Sequence, residues 1–138
     1  MDARISQGTE AWFRMIGTLM CEAAELANLP PDLTVSLVER YFDGQILAND
    51  DVQGIRFDIV NGKPSFRYGV QGDERGDVTI EISRSAARRL NLLMTSDPSY
   101  GAALDAAIKA GELRIEGDPS RLGSWLRLVH DPIVERTK

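Results

Sequence analysis

The stretch GIRFDIVNGKPSFRYGV, residues 54–70, changes the hydrophobic pattern of the chain from a helical period to a period of two. Apolar and polar residues alternate on both sides of Asn61-Gly62, a dipeptide typical of a tight hairpin turn. The stretch therefore predicts two antiparallel strands with one buried and one exposed face. The residues on the apolar face are Ile55, Phe57, Ile59, Phe66, Tyr68 and Val70.

Two further segments alternate in the same way. DVTIEIS, residues 77–83, places Val78, Ile80 and Ile82 inward, and ELRIEG, residues 112–117, places Leu113 and Ile115 inward. Because a strand of about four residues is not stable by itself, the last segment is expected to join the sheet formed by the others. The sequence predicts a mostly antiparallel sheet of about four to five strands.

Helical periodicity covers much of the remaining chain. Residues 9–28 carry one apolar stripe that Pro30-Pro31 ends. Residues 32–43 are predicted as a second helix, with Gly44 as its left-handed cap and with Leu37, Val38, Tyr41 and Phe42 on one side.

Three later helices have recognisable start signals. They are predicted to begin at Ser83 or Ser85, at Asp97-Pro98 and at Asp118-Pro119, because serine and aspartate cap helices and proline fits the first turn. Asp131-Pro132 is interpreted as the stop of the last one, which carries Leu122, Trp125, Leu126 and Val129. The order of elements predicts an α+β domain with helices covering one face of the sheet.

This pattern resembles the sterol carrier protein type 2 family over roughly residues 33–130. The matching positions are Asp77 before a strand, then Gly111, Leu113, Ile115, Gly117 and Asp118 around the short fourth strand. The resemblance implies one such domain over residues 1–138, with residues 1–31 as an N-terminal helix specific to a subgroup. It also implies an apolar tunnel that holds a fatty acyl chain, a sterol or an isoprenoid without transforming it.

Periodicity alone does not separate a filled core from a hollow one, and the expectation of a cavity comes from the resemblance. Tyr68 could supply a polar group there, because a buried phenol needs a hydrogen-bond partner. The alternative is a ligand-free accessory or assembly domain with a filled interior. The predicted ligand-contacting residues are Phe57, Ile59, Phe66, Tyr68, Ile80, Ile82, Leu104, Ile108, Leu113, Ile115, Trp125 and Val129.

The composition of the chain disfavours several classes of binding partner. The 138 residues carry a net charge of -5, which argues against nucleic acid and against a polybasic grip on anionic lipid. No apolar run reaches the length of a membrane span, so no stable membrane insertion is expected. The N-terminus lacks the apolar core of a signal peptide, and Cys21 is the one cysteine, so a cytoplasmic location is expected.

Other residues each allow two readings. His130 could act as a base beside Asp131 or Asp118, or it could be a cation near helix-terminal carbonyls. Cys21 is interpreted as a semi-buried filler because no base lies near it in sequence. One histidine and one cysteine do not form a zinc site of the usual kind, and no metal or cofactor is expected.

Three weaker hypotheses stay open. Arg84, Arg88 and Arg89 could meet a carboxylate or phosphate head group, or could form a solvated helix face. Small residues in the first helix (Gly17, Ala23, Ala24 and Ala27) allow close approach of another helix, and a homodimer is one reading of them. A small acid–base enzyme would need Asp58 or Glu81 in an apolar pocket, and the closing helical segment counts against that fold.

Overall fold

Five strands form one sheet in the computed structural model of this chain, which describes residues 3–138. The strands lie in the order β3-β2-β1-β4-β5, so β1 is central. It pairs antiparallel with β2 and parallel with β4, whereas β2–β3 and β4–β5 are antiparallel. The bounds are β1 Val35–Tyr41, β2 Val52–Val60, β3 Lys63–Val70, β4 Val78–Ile82 and β5 Leu113–Glu116.

Helices cover one face of this sheet, which confirms the predicted α+β class. The longest helix, α1, lies against β3, and Gly17 lets it approach so closely that an added Cβ would clash with the Phe66 ring. The helices are α1 Glu10–Leu26, α2 Arg84–Leu90, α3 Pro98–Lys109 and α4 His130–Glu135, with short 3-10 turns at Ala48–Asp50, Pro119–Leu122 and Ser124–Leu128.

The predicted second helix over residues 32–43 is wrong, because the chain there forms β1. This strand is buried on both faces and carries apolar residues on both. Its sequence therefore lacks the alternation of apolar and polar residues that marks a half-exposed strand. Leu37 faces the helices, while Val38 is completely buried on the opposite face. Gly44 is accordingly not a helix cap, and it does not have a positive φ.

The loop between β3 and β4 covers that opposite face. Arg40 is 2% exposed and donates a hydrogen bond to the backbone carbonyl of Glu74. The Glu74 carboxylate pairs with Arg56 and Arg67 on the neighbouring strands. Desolvation would raise its pKa, but a hydrogen bond from the Gln71 backbone N–H and these ion pairs lower it. Charged residues of the loop thus hold it on the sheet.

The closing segment is not one amphipathic helix. Gly123 has a φ of +120°, which ends the first 3-10 turn, and a second 3-10 turn leads into α4. His130 begins α4, and Pro132 lies in its first turn, where a proline is tolerated. The prediction that Asp131-Pro132 stops a helix is therefore wrong.

Asp77 and Asp118 have structural roles. The Asp77 carboxylate accepts hydrogen bonds from the backbone N–H and the hydroxyl of Ser36, at 2.9 and 3.2 Å, which aligns β4 with β1. Asp118 caps the 3-10 turn after β5 by accepting from the Ser120 N–H at 3.0 Å. Gly117 between them has a φ of +86° and packs directly on the Asp77 carbonyl, so glycine is required there.

Candidate functional site

A cavity of about 280 Å³ lies between the sheet and the helices. Both layers and the C-terminal segment wall it, and most of the lining is apolar. Small-molecule sites in proteins have this character, a mainly apolar surface with a few polar groups. The lining residues are Trp12, Ile16, Met20, Leu37, Glu39, Ile80, Asn91, Tyr100, Leu126, Val129, His130 and Ile133.

The wall contributed by α1 follows from its helical period. Trp12, Ile16 and Met20 are four residues apart and lie on one side of the helix, over the sheet. Trp12 is fixed at its polar end because its Nε1–H donates to the Thr137 hydroxyl at 2.9 Å. That hydroxyl donates in turn to the Ile133 carbonyl, so the first and last helices are joined beside the cavity.

Glu39 is the acidic residue of the cavity wall, on the central strand. Its side chain points to the same face as Leu37 and Tyr41, toward the helices. Across the ladders it is paired with Ile55 of β2 and Ile80 of β4, both on the apolar face. A carboxyl group therefore lies within an otherwise apolar part of the sheet.

The Glu39 carboxyl has no hydrogen-bond or ion-pair partner among residues 3–138. Within the described residues, every side-chain oxygen or nitrogen that is completely buried has a hydrogen-bond partner. Since the Glu39 oxygens have none, they are not completely buried, and their accessible surface faces the cavity. The surrounding protein still removes most of their hydration, and this desolvation raises the pKa of Glu39 above its ordinary value of 4.5.

Asn91, Tyr100 and His130 form the other polar part of the lining. The ring Nε2 of His130 lies 2.8 Å from the Leu93 carbonyl, which fixes it as a donor there, and the ring packs against Tyr100 with centroids 4.8 Å apart. Burial, followed by the charge of Asp131, raises the pKa of Tyr100. His130 is thus at a helix start, and the prediction that it lies near helix-terminal carbonyls is wrong.

The helix α3, which contributes Tyr100 to the cavity wall, is only loosely packed against the rest of the domain. Ala107 is its one fully buried residue within the described chain, and Ile108 is 50% exposed. Gly101, in its first turn, has no neighbouring atom within 4 Å of an added Cβ. Few apolar contacts hold α3 in place, a property of elements that move at low free-energy cost.

The structure distributes the predicted ligand-contacting residues over several environments. Ile80 and Val129 line the cavity. Phe57 packs on Trp125 with ring centroids 5.5 Å apart, in a closed part of the core that also holds Ile59, Ile82 and Leu113. Phe66 and Leu104 are half-buried beside that core, whereas Ile108 and Ile115 are about half exposed. Tyr68 lines a separate polar hollow, which also contains Gln53 and Arg84. Their contact with a ligand stays a prediction.

Glu39 was missed by sequence reasoning. It belongs to the segment predicted as a helix, where a glutamate is ordinary. The acids expected for an enzyme, Asp58 and Glu81, lie on the opposite face instead. Asp58 pairs with Arg56 at 3.2 Å and Glu81 with Arg40 at 3.3 Å, so neither is in an apolar pocket.

The weaker candidate residues have ordinary surroundings. Cys21 is half-buried, and burial together with the charges of Glu25 and Glu22 raises its pKa, which disfavours the thiolate. Arg89 pairs with Glu112 at 2.9 Å. Gly17 and Ala24 are buried within the domain itself, so these small residues of α1 serve packing inside the chain.

Three larger hollows, of about 420, 410 and 380 Å³, lie elsewhere on the molecule, and the third is an open hollow beside α1 around Arg14 and Thr18. The first is polar, around Gln53, Tyr68 and Arg84, and the second is bounded by residues of the two consecutive 3-10 turns. The cavity at Glu39 differs from the first of these hollows by its mainly apolar lining, and from the others because both the sheet and the helices wall it. We regard it as the candidate site for this reason, although it is smaller.

Within residues 3–138, no group of three His, Cys, Asp or Glu side chains is arranged to bind a metal ion. None of the helices in that range combines the length and the hydropathy that a membrane-spanning helix needs.

The chain is thus an α+β domain with a mainly apolar cavity between its layers, and several solved structures are similar to it in fold. Sterol carrier protein 2 matches with a TM-score of 0.49 and 16% identity, over 94% of this chain and 95% of that one. Sterol carrier protein domain 2 of Helicoverpa armigera matches with a TM-score of 0.47 and 22% identity, over 97% and 98%.

A conserved hypothetical protein from Thermus thermophilus also matches, with a TM-score of 0.49 and 14% identity, over 98% of this chain and 92% of that one. The predicted resemblance to sterol carrier proteins is thus confirmed as a likeness in fold. No family model matches the chain, and no curated protein sequence matches it.

Proposed function

We propose that this chain binds an apolar small molecule in the Glu39 cavity and does not transform it. The observation that carries the proposal is the cavity itself, which the two layers of the domain leave between them. The cavity is partly open to solvent, and its mainly apolar wall offers a ligand surface that the packing of the domain leaves uncovered. Burial of apolar ligand surface supplies the affinity, at roughly 25 cal/mol per Å².

The size of the cavity limits what fits without movement. It lies just below the range of about 300–1,000 Å³ that is typical of small-molecule sites. An acyl chain or a polycyclic body larger than this requires the helix α3 to shift outward. Because α3 has few buried residues, that movement removes little apolar contact.

Binding agrees better with the polar groups than catalysis does. An acid–base mechanism needs a base that a neighbouring group orients. Glu39 has no partner in the described chain, and the Nε2 of His130 is directed at the Leu93 carbonyl. These groups do not form a hydrogen-bonded pair, and they are better suited to contact a bound molecule.

Native mass spectrometry of the freshly purified protein tests the proposal. We expect a bound apolar molecule that denaturation releases, or uptake of one from a lipid panel with a stoichiometry of one. Ile80→Phe, which fills the cavity, should abolish uptake. Ile115→Phe is the matched control, because Ile115 pairs with Ile80 in register on β5, is 46% exposed and is not part of the cavity lining.

A clean mass with no uptake from any lipid would contradict the proposal. The interior would then be closed in solution, as expected for a ligand-free accessory domain. Unchanged uptake in Ile80→Phe would place the binding site elsewhere on the molecule.

A further inference from the structure

The packing of the domain makes no use of the Glu39 carboxyl. Charged side chains on the opposite face of the sheet are paired, as Arg40 is with Glu81 and Arg56 with Asp58 and Glu74. Glu39 has no partner within residues 3–138, and its neighbours in the ladders are Ile55 and Ile80. Its oxygens keep accessible surface at the cavity but have no protein partner, so a bound molecule can supply hydrogen bonds that the packing does not.

No cation of the sheet is placed to neutralise this carboxyl within the described residues. Arg40 is adjacent in sequence but points to the opposite face, because successive side chains of a strand alternate. The titratable groups that share the cavity wall are Tyr100 on α3 and His130 on α4, and Tyr41 lies two residues along β1. Asp131 next to His130 is directed at Thr95, with hydrogen bonds of 2.7 and 2.8 Å.

The chemistry of a lone carboxyl group indicates what it can bind. An ionised carboxylate only accepts hydrogen bonds, and bonds to a charged acceptor are stronger than neutral ones. A molecule with a donor at one end and an apolar body satisfies Glu39 and fills the cavity at the same time. A free fatty acid instead places a second negative group against it, which is unfavourable in a site of low dielectric constant.

We propose that Glu39 determines the specificity of the cavity and that the bound molecule is an amphiphile whose head group donates hydrogen bonds to Glu39, as an ammonium or a hydroxyl group does. This inference rests on the proposed function and adds the head-group chemistry to it. The site accordingly disfavours free carboxylic acids.

Three probes with the same chain test this inference: dodecylamine, 1-dodecanol and dodecanoic acid. Their dissociation constants are measured by titration calorimetry near neutral pH, below the critical micelle concentrations, for the natural chain, Glu39→Gln and Glu116→Gln. The last variant removes the same charge from an exposed position on β5, where Glu116 pairs with Arg75 at 3.2 Å. It controls for long-range electrostatics.

We expect the natural chain and Glu116→Gln to bind the amine and the alcohol at least about tenfold more tightly than the acid, since a charge-assisted hydrogen bond has about this effect. Glu39→Gln should reduce the preference for amine over acid about tenfold, while its affinity for the alcohol changes less. The ratio of amine to alcohol separates an ammonium-selective from a hydroxyl-selective site. Loss of selectivity with retained alcohol binding also shows that the variant is folded.

Two results would overturn the inference. Equal binding of the three probes to the natural chain, unchanged in Glu39→Gln, would leave the proposed function intact and remove Glu39 from recognition. Binding of none of the probes, together with no uptake in mass spectrometry, would reject the proposed function and this inference with it.

Discussion

Replacing Glu39 with glutamine should stabilise the empty protein at neutral pH. The two side chains have nearly the same shape, so the change removes a charge without creating a void. Glu39 lies between Ile55 and Ile80 and lacks a partner in the described chain, so desolvation raises the pKa of its carboxyl when the chain folds. The glutamine amide avoids the part of this penalty that belongs to the ionised form.

The sign of the pH dependence follows from proton linkage. Because the pKa of Glu39 is higher in the folded state, the folded chain binds more protons than the unfolded chain between the two pKa values. The stability of the natural chain therefore decreases as the pH rises from about 4.5 through the folded pKa, and this loss is complete above it. Below the ordinary pKa both states are protonated, and the penalty is absent.

The size of the effect is of the order of 1–3 kcal/mol at about pH 8, the usual cost of removing a polar group from water without giving it a hydrogen-bond partner. The free energy of unfolding is measured by urea titration at about pH 4, 6 and 8 for the natural chain, Glu39→Gln and Glu116→Gln. The advantage of Glu39→Gln should grow with pH, whereas Glu116→Gln should change little.

A gain that is the same at every pH would contradict this reasoning, because a desolvated carboxyl produces a pH-dependent difference. A loss of stability at about pH 8 would mean that the Glu39 carboxylate has a favourable partner in the folded protein. In that case Glu39 would not be available to bind the head group of a ligand.

Three glycine substitutions test the packing through urea unfolding. Gly17→Ala should lose about 1–3 kcal/mol, because the new methyl group meets the Phe66 ring, and an unchanged stability would mean that α1 lies further from β3. Gly117→Ala should lose about 2 kcal/mol or more, since it combines a positive φ with a clash against the Asp77 carbonyl; tolerance would refute the turn geometry. Gly101→Ala, with open space around the first turn of α3, should gain up to about 1 kcal/mol, and a loss would indicate that α3 contacts something there.

The strands after residue 50 and the first helix could be predicted from sequence because each buries one face. Ile55, Phe57 and Ile59 alternate with polar residues, and Asn61-Gly62 marks the turn between β2 and β3. The strand β1 could not be recognised in this way. Val38 is buried beneath a charged loop whose position depends on Glu74 and three arginines, and these contacts form only in the folded chain.

The candidate site was less predictable than the fold. Ile80 is predictable because it belongs to the apolar face of an alternating strand, and Val129 because it belongs to the apolar stripe of a helical pattern. The cavity reaches both residues. The same periodicity selects Phe57 and Ile59, which face the same layer but are completely covered. Whether the space above a residue is filled depends on how α3 and α4 lie over the sheet, and a linear pattern does not contain that information.

The central position of β1 also has a consequence for how the molecule folds. Its antiparallel partner follows closely in the chain, whereas Ser36 and Asp77, which align its parallel partner, are 41 residues apart. Pairings between distant segments form slowly, because loop closure must come first. The segment β1–β3 is thus expected to assemble early and β4–β5 to dock onto it late. The cavity comes into existence only at this last step, since Glu39 belongs to the first part and Ile80 to the second, and a bound molecule would slow the separation of the two parts.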